Sequence, residues 1–231
     1  MVYAAILAGG VGKRMQRTGL PKQFLNLGKK PIIEHTIQQF LAHPEIEKVY
    51  VAVPNEWLSH TNDLLIKYNE VQIIQGGADR NGSLMAAVNA IKKDFDISNN
   101  DIIVSHDAVR PFVTQRIISD NIKAGLKYGA TDTVIPATDT IVEGTDEYIS
   151  NIPVRSNMYQ GQTPQTFNIK TLEEIYNNIS NEEKAILTDA CKMFVLKGKP
   201  VKLIKGEDFN IKITTAFDLE LANLILKEER L

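Results

Sequence analysis

The sequence is poor in cysteine, and Cys191 is the only one among its 231 residues. A single cysteine excludes a disulfide within the chain and a zinc site built from several cysteines. Cys191 lies in a predicted helix near Ala190 and Phe194, and no accompanying pattern of histidine and asparagine suggests a cysteine nucleophile. We therefore expect a thiol that packs in the core.

The sequence also lacks an excess of charge of one sign: it has 26 basic and 28 acidic residues, and its net charge is −2. This balance is not typical of a general nucleic-acid or membrane-surface binder. No stretch approaches the ~18 apolar residues of a membrane span, and the N-terminal apolar run is too short for a signal peptide. We expect a cytoplasmic protein without nucleic-acid or membrane partners, in which any anion site is built locally.

The length suits one large α/β domain covering residues 1–231, which would bury roughly 70% or more of its unfolded surface. Short apolar runs at 2–8, 49–53, 71–75 and 102–105 alternate with helical periodicity at 31–41, 57–68, 83–95 and 116–128. Continuous apolar strands separated by helices predict a Rossmann-like, three-layer, mostly parallel sheet. Ligands of such sheets bind beyond the carboxyl ends of the strands.

The alternation of strands and helices stops from residue 131 to about 165. Hairpin-like strands at 133–136, 140–143 and 148–149 follow one another there without a helix. Two interpretations stay open: a meander that closes the sheet edge, or an arm that projects. We favour the arm, which would need a partner surface because a lone hairpin is marginal in water. Helices at 172–179, 182–196 and 216–228 and a strand at 201–204 complete the predicted elements.

A glycine-rich, cationic loop follows the first strand, with the sequence Gly9-Gly10-Val11-Gly12-Lys13-Arg14. Glycines let successive backbone N–H groups turn toward an anion, and Lys13, Arg14 and Lys22 add positive charge. The P-loop spacing does not fit, and the third glycine or alanine of the dinucleotide fingerprint is missing, so a Rossmann dehydrogenase is the weaker alternative. An ordinary turn with a solvated basic face is the other alternative.

Two further motifs follow strands of the predicted sheet and therefore point to the same edge. The turn at 76–83 is rich in glycine; Ser83 could contact a base and Arg80 a triphosphate, or Ser83 or Asn81 could simply cap the next helix. The segment 106–111 sets Asp107 beside Arg110. Asp107 could face Mg²⁺ on a phosphate, since that ion needs only one or two carboxylates, or it could pair with the arginine.

These motifs resemble the cytidylyltransferase family shared by 2-C-methyl-D-erythritol 4-phosphate and ribitol-5-phosphate cytidylyltransferases. Matching segments occur in the family's order at 7–15, 21–23, 76–80, 106–111, 139–140, 163–165, 188–189 and 210–212. The resemblance implies the nucleotidyltransferase type of α/β sheet and a projecting β-arm at about 138–160 that joins a homodimer. It also implies Mg²⁺-dependent reaction of CTP with an alditol phosphate to give a CDP-alditol and pyrophosphate.

The resemblance assigns roles to individual residues. The implied catalytic residues are Arg14, Lys22, Arg155 and Lys212, and the implied metal ligand is Asp107. The implied CTP-binding residues are Leu7, Ala8, Gly9, Gly10, Gly12, Gly77, Asp79, Arg80, Asn81, Ser83 and Asp107. The implied acceptor-binding residues are Asp139, Thr140, Arg155, Gln160, Thr163, Thr188 and Lys212.

Within the family, several segments are more similar to the ribitol-5-phosphate branch, among them 106–112, 159–167, 187–192 and 205–212. In the methylerythritol branch an aspartate usually precedes Asn-Ile-Lys, whereas Phe209 stands there in this chain. The expected product is therefore CDP-ribitol for teichoic acid synthesis in the cell wall. The isoprenoid enzyme and a non-catalytic nucleotide-binding regulator are the alternatives, and association with a partner reductase stays open.

Overall fold

The computed structural model describes residues 1–10, 19–187 and 189–228. The strands are Val2–Leu7 (β1), Asn26–Leu27 (β2), Lys30–Pro31 (β3), Ile46–Val53 (β4), Val71–Gln75 (β5), Ile102–Asp107 (β6), Ala130–Pro136 (β7), Glu143–Thr145 (β8), Tyr148–Asn151 (β9), Tyr159–Asn168 (β10) and Lys202–Lys205 (β11). The α-helices are Ile32–Leu41 (α1), Leu58–Leu65 (α2), Arg80–Asp94 (α3), Gln115–Tyr128 (α4), Ile169–Asn177 (α5), Asn181–Ala185 (α6), Ala190–Leu196 (α7) and Ala216–Lys227 (α8). No helix in these ranges is long and apolar enough to cross a membrane.

A seven-stranded sheet organises the described chain, with the strand order β11-β7-β10-β6-β1-β4-β5. All neighbouring pairs are parallel except those of β10, which is antiparallel to both β6 and β7. Leu7 at the end of β1 is in register with Asp107 of β6 and Ala52 of β4. The carboxyl ends of three central strands therefore meet at one edge, as the sequence predicts.

Helices cover both faces of this sheet, because the strands alternate two sets of apolar side chains. Tyr3, Ala5 and Leu7 of β1 pack in a cluster with residues of α3, α5 and α7. The intervening residues of β1 pack with α1, α2 and α4 on the opposite face. The predicted three-layer, mostly parallel α/β fold is confirmed.

The central strand β10 is missing from the sequence prediction. Its residues 160–166 read as Gln-Gly-Gln-Thr-Pro-Gln-Thr, a polar run without the apolar alternation of a strand. Gln162, Thr163 and Gln165 are nevertheless buried, and each makes hydrogen bonds to other elements. Tertiary hydrogen bonding therefore places a polar segment in the middle of the sheet, and local pattern alone does not reveal it.

The hairpin of β8 and β9 lies outside the main sheet, and every residue of both strands is exposed. Its turn residues Asp146 and Glu147 adopt positive φ angles of 49° and 72°. The strand predicted at 140–143 instead covers Glu143–Thr145, so it lies further along the chain than expected. Large apolar side chains are exposed along this part of the chain: Val142, Tyr148, Ile149, Ile152, Val154 and Tyr159.

The helix predicted over 182–196 is two helices, because Asp189 caps the start of α7 by accepting a hydrogen bond from the Lys192 backbone N–H. Cys191 lies in α7, is buried, and donates from Sγ to the Thr131 carbonyl at 3.7 Å. Burial raises the pKa of its thiol well above the ordinary value, and the neighbouring carboxylates act in the same direction. The predicted core thiol is confirmed.

Helix α4 packs closely on β10 at Gly125, which provides a test of the fold. A Cβ on Gly125 would lie 2.4 Å from Cγ2 of Thr166. Alanine favours a helix over glycine by up to about 1 kcal/mol, whereas overpacking costs about 1–3 kcal/mol. We expect Gly125→Ala to lower the free energy of unfolding by about 1–2 kcal/mol in urea denaturation.

The matched control removes the clashing methyl group. Thr166→Ser deletes Cγ2, so the double variant should recover most of the stability that Gly125→Ala loses. The two substitutions should therefore be strongly non-additive. Strictly additive losses would contradict the close packing of α4 on β10.

Candidate active site

A cleft of about 270 Å³ opens at the carboxyl edge of β1 and β6. It is lined by Leu7, Ala8, Gly9, Gly10, Lys22, Gln23, Gly77, Ala78, Asp79, Arg80, Ser83, Asp107, Ala108, Val109 and Lys212. Most of the residues predicted to bind CTP, and two of the predicted catalytic residues, thus lie around one cavity. Gln23, Ala78, Ala108 and Val109 were not predicted individually, although each lies within or next to a recognised motif.

The first wall of the cleft is the chain that leaves β1. The Ala8 backbone N–H donates to the Ala52 carbonyl at 2.9 Å, and Nε2 of Gln23 donates to the Ala8 carbonyl at 2.7 Å. A short 3₁₀-helix over Lys22–Phe24 carries Gln23 inward, where it is buried, and brings Lys22 to the cleft. The aliphatic part of Lys22 lies beside Gly10, since a Cβ built there would be 3.7 Å from Cε.

The opposite wall is the glycine turn before α3. Asp79 caps this helix, because its Oδ1 accepts from the Gly82 backbone N–H at 2.7 Å; neither Ser83 nor Asn81 is the cap. A Cβ on Gly77 would lie 2.4 Å from the carbonyl carbon of Gly82, so the turn requires glycine there. The Ser83 hydroxyl accepts from the Gly77 N–H at 3.1 Å and donates to the Asp79 carbonyl at 2.9 Å. The side chains of Asp79 and Ser83 thus hold the turn by hydrogen bonds, and Gly77, Ala78, Asp79, Arg80 and Ser83 line the cleft.

Asp107 stands at the end of β6 among three cations. Its Oδ2 lies 2.9 Å from Nζ of Lys212 and 3.5 Å from Nε of Arg110. Its Oδ1 lies 3.5 Å from Nε of Arg80. Burial alone would raise the pKa of this carboxyl, but the positive charges of Arg80, Lys212 and Arg110 outweigh burial and hold the pKa far below its usual range. Asp107 is therefore ionised at neutral pH.

Asn210 explains how Lys212 reaches this carboxylate from a distant part of the sequence. Nδ2 of Asn210 donates to Oε1 of Gln162 at 3.1 Å and to the Thr163 carbonyl at 2.9 Å. In return, the Asn210 carbonyl accepts from Nη1 of Arg110 at 2.8 Å. These bonds fasten the 209–214 segment to β10 and to the loop after β6, which leaves Lys212 at the cleft.

His106 is buried beneath the cleft and holds the same loop from below. Because the Arg110 carbonyl can only accept, Nε2 of His106 carries the proton and donates to it at 3.0 Å. The Thr163 hydroxyl donates to Nδ1 at 2.9 Å and accepts from the Asp107 backbone N–H at 3.1 Å. Burial is the main cause that lowers the pKa of His106 to about 4, so the ring is neutral at pH 7. It positions the loop and has no free nitrogen for proton transfer.

Several predicted site residues do not line this cleft. Thr163 is buried in the network just described, and Asn81 is buried in α3. Arg155 is exposed, and its Nη1 donates to the Thr138 carbonyl at 3.1 Å within the arm. Asp139, Thr140 and Gln160 are exposed nearby. The predicted residues Gly12, Arg14 and Thr188 lie outside the described part of the chain.

The described cleft contains two carboxylates of the kind that can hold a metal ion. Asp79 and Asp107 line it, and Asp79 already uses one oxygen to cap α3. Asp107 is ionised, but its cationic neighbours oppose the binding of a bare divalent ion. The arrangement fits Mg²⁺ that shares one carboxylate with phosphate oxygens and water.

A second acidic group lies elsewhere, where ligand atoms of Asp132, Asp189 and Cys191 fall within 4.8 Å of one another. The amide nitrogen of Gln165 donates to both carboxylates, at 3.0 Å to Asp132 and 2.9 Å to Asp189. The Cys191 thiol is held protonated by its raised pKa. Because the Gln165 amide already donates to both carboxylates, we assign no metal ion to these three residues.

Taken together, the described cleft combines Gly9, Gly10 and the glycine turn before α3 with the cations of Lys22, Arg80 and Lys212. Backbone N–H groups and cations in a small concavity are the features that bind phosphates. The glycine turn at 76–83 adds the polar side chains of Asp79 and Ser83 to the lining. This chemistry matches a nucleoside triphosphate.

Comparison with known proteins gives the same result. The family model of 2-C-methyl-D-erythritol 4-phosphate cytidylyltransferase, IspD, matches residues 2–228. The 4-diphosphocytidyl-2C-methyl-D-erythritol synthase of Anaerococcus prevotii has a TM-score of 0.82 and 27% identity, over 98% of this chain and 96% of that one. The IspD of Francisella tularensis has a TM-score of 0.82 and 29% identity, over 96% and 98%. The enzyme of Thermus thermophilus has a TM-score of 0.76 and 26% identity, over 98% and 100%.

The match thus covers nearly the whole chain, including both glycine turns, Asp107 and Lys212. Members of this family are enzymes that transfer a cytidylyl group, and the cleft has the charge and backbone donors that such a reaction requires. The chain belongs to the 2-C-methyl-D-erythritol 4-phosphate cytidylyltransferase (IspD) family and is a nucleotidyltransferase.

Proposed function

We propose that this enzyme transfers the cytidylyl group of CTP to D-ribitol 5-phosphate, giving CDP-ribitol and pyrophosphate for teichoic acid synthesis. We choose this acceptor because Phe209 precedes Asn210-Ile211-Lys212. Its ring is half-buried against an apolar cluster that includes Val109, Phe112 and Ile213. An aspartate at this position, as is usual in the methylerythritol branch, would offer an acceptor hydroxyl a carboxylate, and this chain offers none there.

The nucleotide is proposed to occupy the described cleft. The cytosine would lie against the turn at Gly77 and Ser83, where backbone groups are held close by the Gly77–Gly82 approach. The triphosphate would lie across Gly9 and Gly10, within reach of Lys22 and Arg80. Arg14, from the same glycine loop, is proposed to add a further cation.

Mg²⁺ is proposed to accompany CTP, with Asp107 as its protein ligand. When bound, it would supply neutralising charge to the phosphate oxygens. Lys212, which contacts the same carboxylate at 2.9 Å, would hold the acceptor phosphate beside it. The position of Lys212 therefore depends on the Asn210 bonds to β10.

The reaction forms a bond between an oxygen of the acceptor phosphate and the α-phosphorus of CTP, and breaks the bond to the β-phosphate oxygen. The acceptor phosphate has a second pKa of about 6, so it is largely dianionic at pH 7 and needs no general base. This agrees with the neutral, fully bonded His106. In-line positioning and cationic stabilisation, chiefly by Lys22 and Arg14, would supply the catalysis.

The alternative acceptor is 2-C-methyl-D-erythritol 4-phosphate. It is favoured by the names of the matching family and of the solved structures from Anaerococcus and Francisella. Those proteins are 27% and 29% identical to this chain. A direct kinetic assay distinguishes the two possible acceptors.

Pyrophosphate release from CTP, measured across a panel of alditol phosphates, tests the proposal. Ribitol phosphate is longer by one carbon and lacks the methyl branch, so its pocket must accommodate another hydroxyl. A pocket that hydrogen-bonds a hydroxyl can reject an analogue lacking it by up to ~10⁴, whereas a methyl group is worth about 1–3 kcal/mol. We expect kcat/KM for ribitol 5-phosphate to exceed that for methylerythritol phosphate by well over tenfold, with all turnover lost in EDTA. Preference for methylerythritol phosphate would reverse the assignment of acceptor and leave the CTP chemistry intact.

Lys22 provides a test of the catalytic assignment. Loss of one preorganised donor to a transition state costs roughly 10²–10³ in rate. We expect Lys22→Ala to lower kcat by that factor and to change nucleotide affinity less, as measured by steady-state kinetics and CTP titration. Lys29→Ala is the matched control, because Lys29 is exposed and outside the cleft. A raised KM with unchanged kcat would show that Lys22 binds substrate and transition state equally.

We further propose a homodimer formed through the arm at about 138–160, so that Arg155 of the partner subunit reaches the acceptor phosphate. Three features support this arrangement. The β8–β9 hairpin is wholly exposed, six large apolar side chains are exposed between Val142 and Tyr159, and Arg155 does not line the described cleft of its own chain. Exposed apolar patches of this kind commonly mark interfaces, and a twofold axis would make the exchange reciprocal.

Mixing two inactive chains tests the exchange. If Arg155 acts in the partner's site, then a heterodimer of an Arg155→Ala chain and a Lys22→Ala chain contains one intact site. We expect up to about a quarter of wild-type activity after random reassociation, since half of the dimers are mixed and each carries one intact site. Mixing Lys22→Ala chains with one another should restore nothing. A monomer in light scattering, or no complementation between chains shown to exchange, would contradict the proposal.

A further inference from the structure

Gln165 connects the nucleotide cleft to a pair of buried acids. Its side chain in β10 is only 2% exposed. Oε1 accepts a hydrogen bond from Nη1 of Arg80 at 3.0 Å. Nε2 donates to Oδ1 of Asp132 at 3.0 Å and to Oδ2 of Asp189 at 2.9 Å. One amide thus joins elements α3, β7 and the start of α7.

The chemistry of the partners determines how this amide is oriented. An ionised carboxylate only accepts and a guanidinium only donates, so the nitrogen must face the two acids and the oxygen must face Arg80. Rotating the amide by 180° would put like groups together on both sides. The orientation of Gln165 is therefore fixed by three bonds at once.

Arg80 is held from two directions as a result. Its Nε lies 3.5 Å from Oδ1 of Asp107, and its Nη1 is bonded to Gln165. The same residue lines the cleft, where its side chain is 22% exposed. An arginine left to rotate loses side-chain entropy when a ligand immobilises it, and fixing it beforehand removes much of that cost.

Asp132 also gives this network a charge that depends on pH. Burial chiefly raises the pKa of Asp132 to about 6, and the charge of Asp189 adds to the effect. The amide of Gln165 and the positive charges of Arg80 and Arg110 act in the opposite direction. The Cys191 thiol also faces the pair, and it stays protonated. A further negative charge here would lack a partner.

We infer that Gln165 is a positioning residue, which fixes the Arg80 guanidinium for the triphosphate of CTP by anchoring it to Asp132 and Asp189. The inference rests on the proposed nucleotide site and extends it to a residue that does not touch the cleft. It also provides a physical connection to α7, since Asp189 begins that helix.

The test replaces the amide by a carboxylate of the same shape. Gln165→Glu brings three carboxyl groups together and removes the N–H donor that holds them. We expect the added negative charge to draw the Arg80 guanidinium away from the cleft, so KM for CTP should rise by roughly tenfold or more. The value of kcat should change less. Lowering the pH from 8 to 6 protonates the carboxyl cluster and restores a donor, so the ratio of variant to wild-type KM should fall toward one.

A compensating substitution separates this role from a merely structural one. In the Gln165→Glu chain, Asp132→Asn supplies an amide that donates to the new carboxylate, and KM for CTP should return to within about threefold of wild type. Gln38→Glu is the matched control: Gln38 is half-buried in α1, its Nε2 bonds to Tyr68, and its variant should retain the wild-type KM. Gln165→Met, which removes the bonds without adding charge, should also raise KM for CTP and show no pH-dependent recovery.

The outcomes distinguish this inference from the proposed function. A wild-type KM in Gln165→Met and Gln165→Glu, or a failure of Asp132→Asn to restore the latter, would overturn the positioning role while the wild-type enzyme remained active. Absence of CTP turnover by the wild-type chain with every alditol phosphate would overturn the proposed function and this inference together. If Gln165→Glu does not fold, the double variant and Gln165→Met decide the question through the same KM measurement.

Discussion

The buried carboxylate of Asp107 is the group on which the candidate site depends. Arg80 begins α3, Arg110 follows β6 and Lys212 precedes α8, yet all three direct positive charge at this one acid. A buried charge is tolerated only when it is paired, and three cations in so small a volume would repel one another without an anion between them. The interaction therefore assembles three separate segments, and it leaves the cleft with cations whose positions are already set when an anionic substrate arrives.

A polar strand inside an α/β core makes this assembly possible. Gln162, Thr163 and Gln165 of β10 are buried, and they bond to Asn210, His106 and Arg80 respectively. Hydrogen bonds in a low-dielectric interior are strong when every partner is satisfied and costly when one is missing. Apolar side chains in the same places would pack equally well but could not orient a guanidinium or hold the loop that carries Lys212. Strand β10 therefore positions residues around the cleft as well as packing in the core.

The chemistry of cytidylyl transfer agrees with this emphasis on positioning. The acceptor is already an anion at neutral pH, so the protein must align two negatively charged molecules and offset their repulsion. The described cleft contains backbone groups of two glycine segments and three cations, and the imidazole of His106 near it is held in a neutral tautomer. The residues proposed for the nucleotide largely surround one cavity, whereas those proposed for the acceptor are divided between Lys212 at the cleft and an exposed arm.

The sequence by itself determined the α/β class, most of the helices and parallel strands, the two glycine turns and the family resemblance. These features are local: apolar periodicity follows from which face is buried, and a turn such as that at Gly77 needs glycine whatever lies further along the chain. Tertiary structure alone decided that the polar segment 159–168 is a central strand, that Asp107 gathers its three cations, and that Gln165 joins Arg80 to Asp132 and Asp189. Each of these depends on partners far apart in sequence, because a buried polar group is stable only where the folded chain brings its complement within hydrogen-bonding distance.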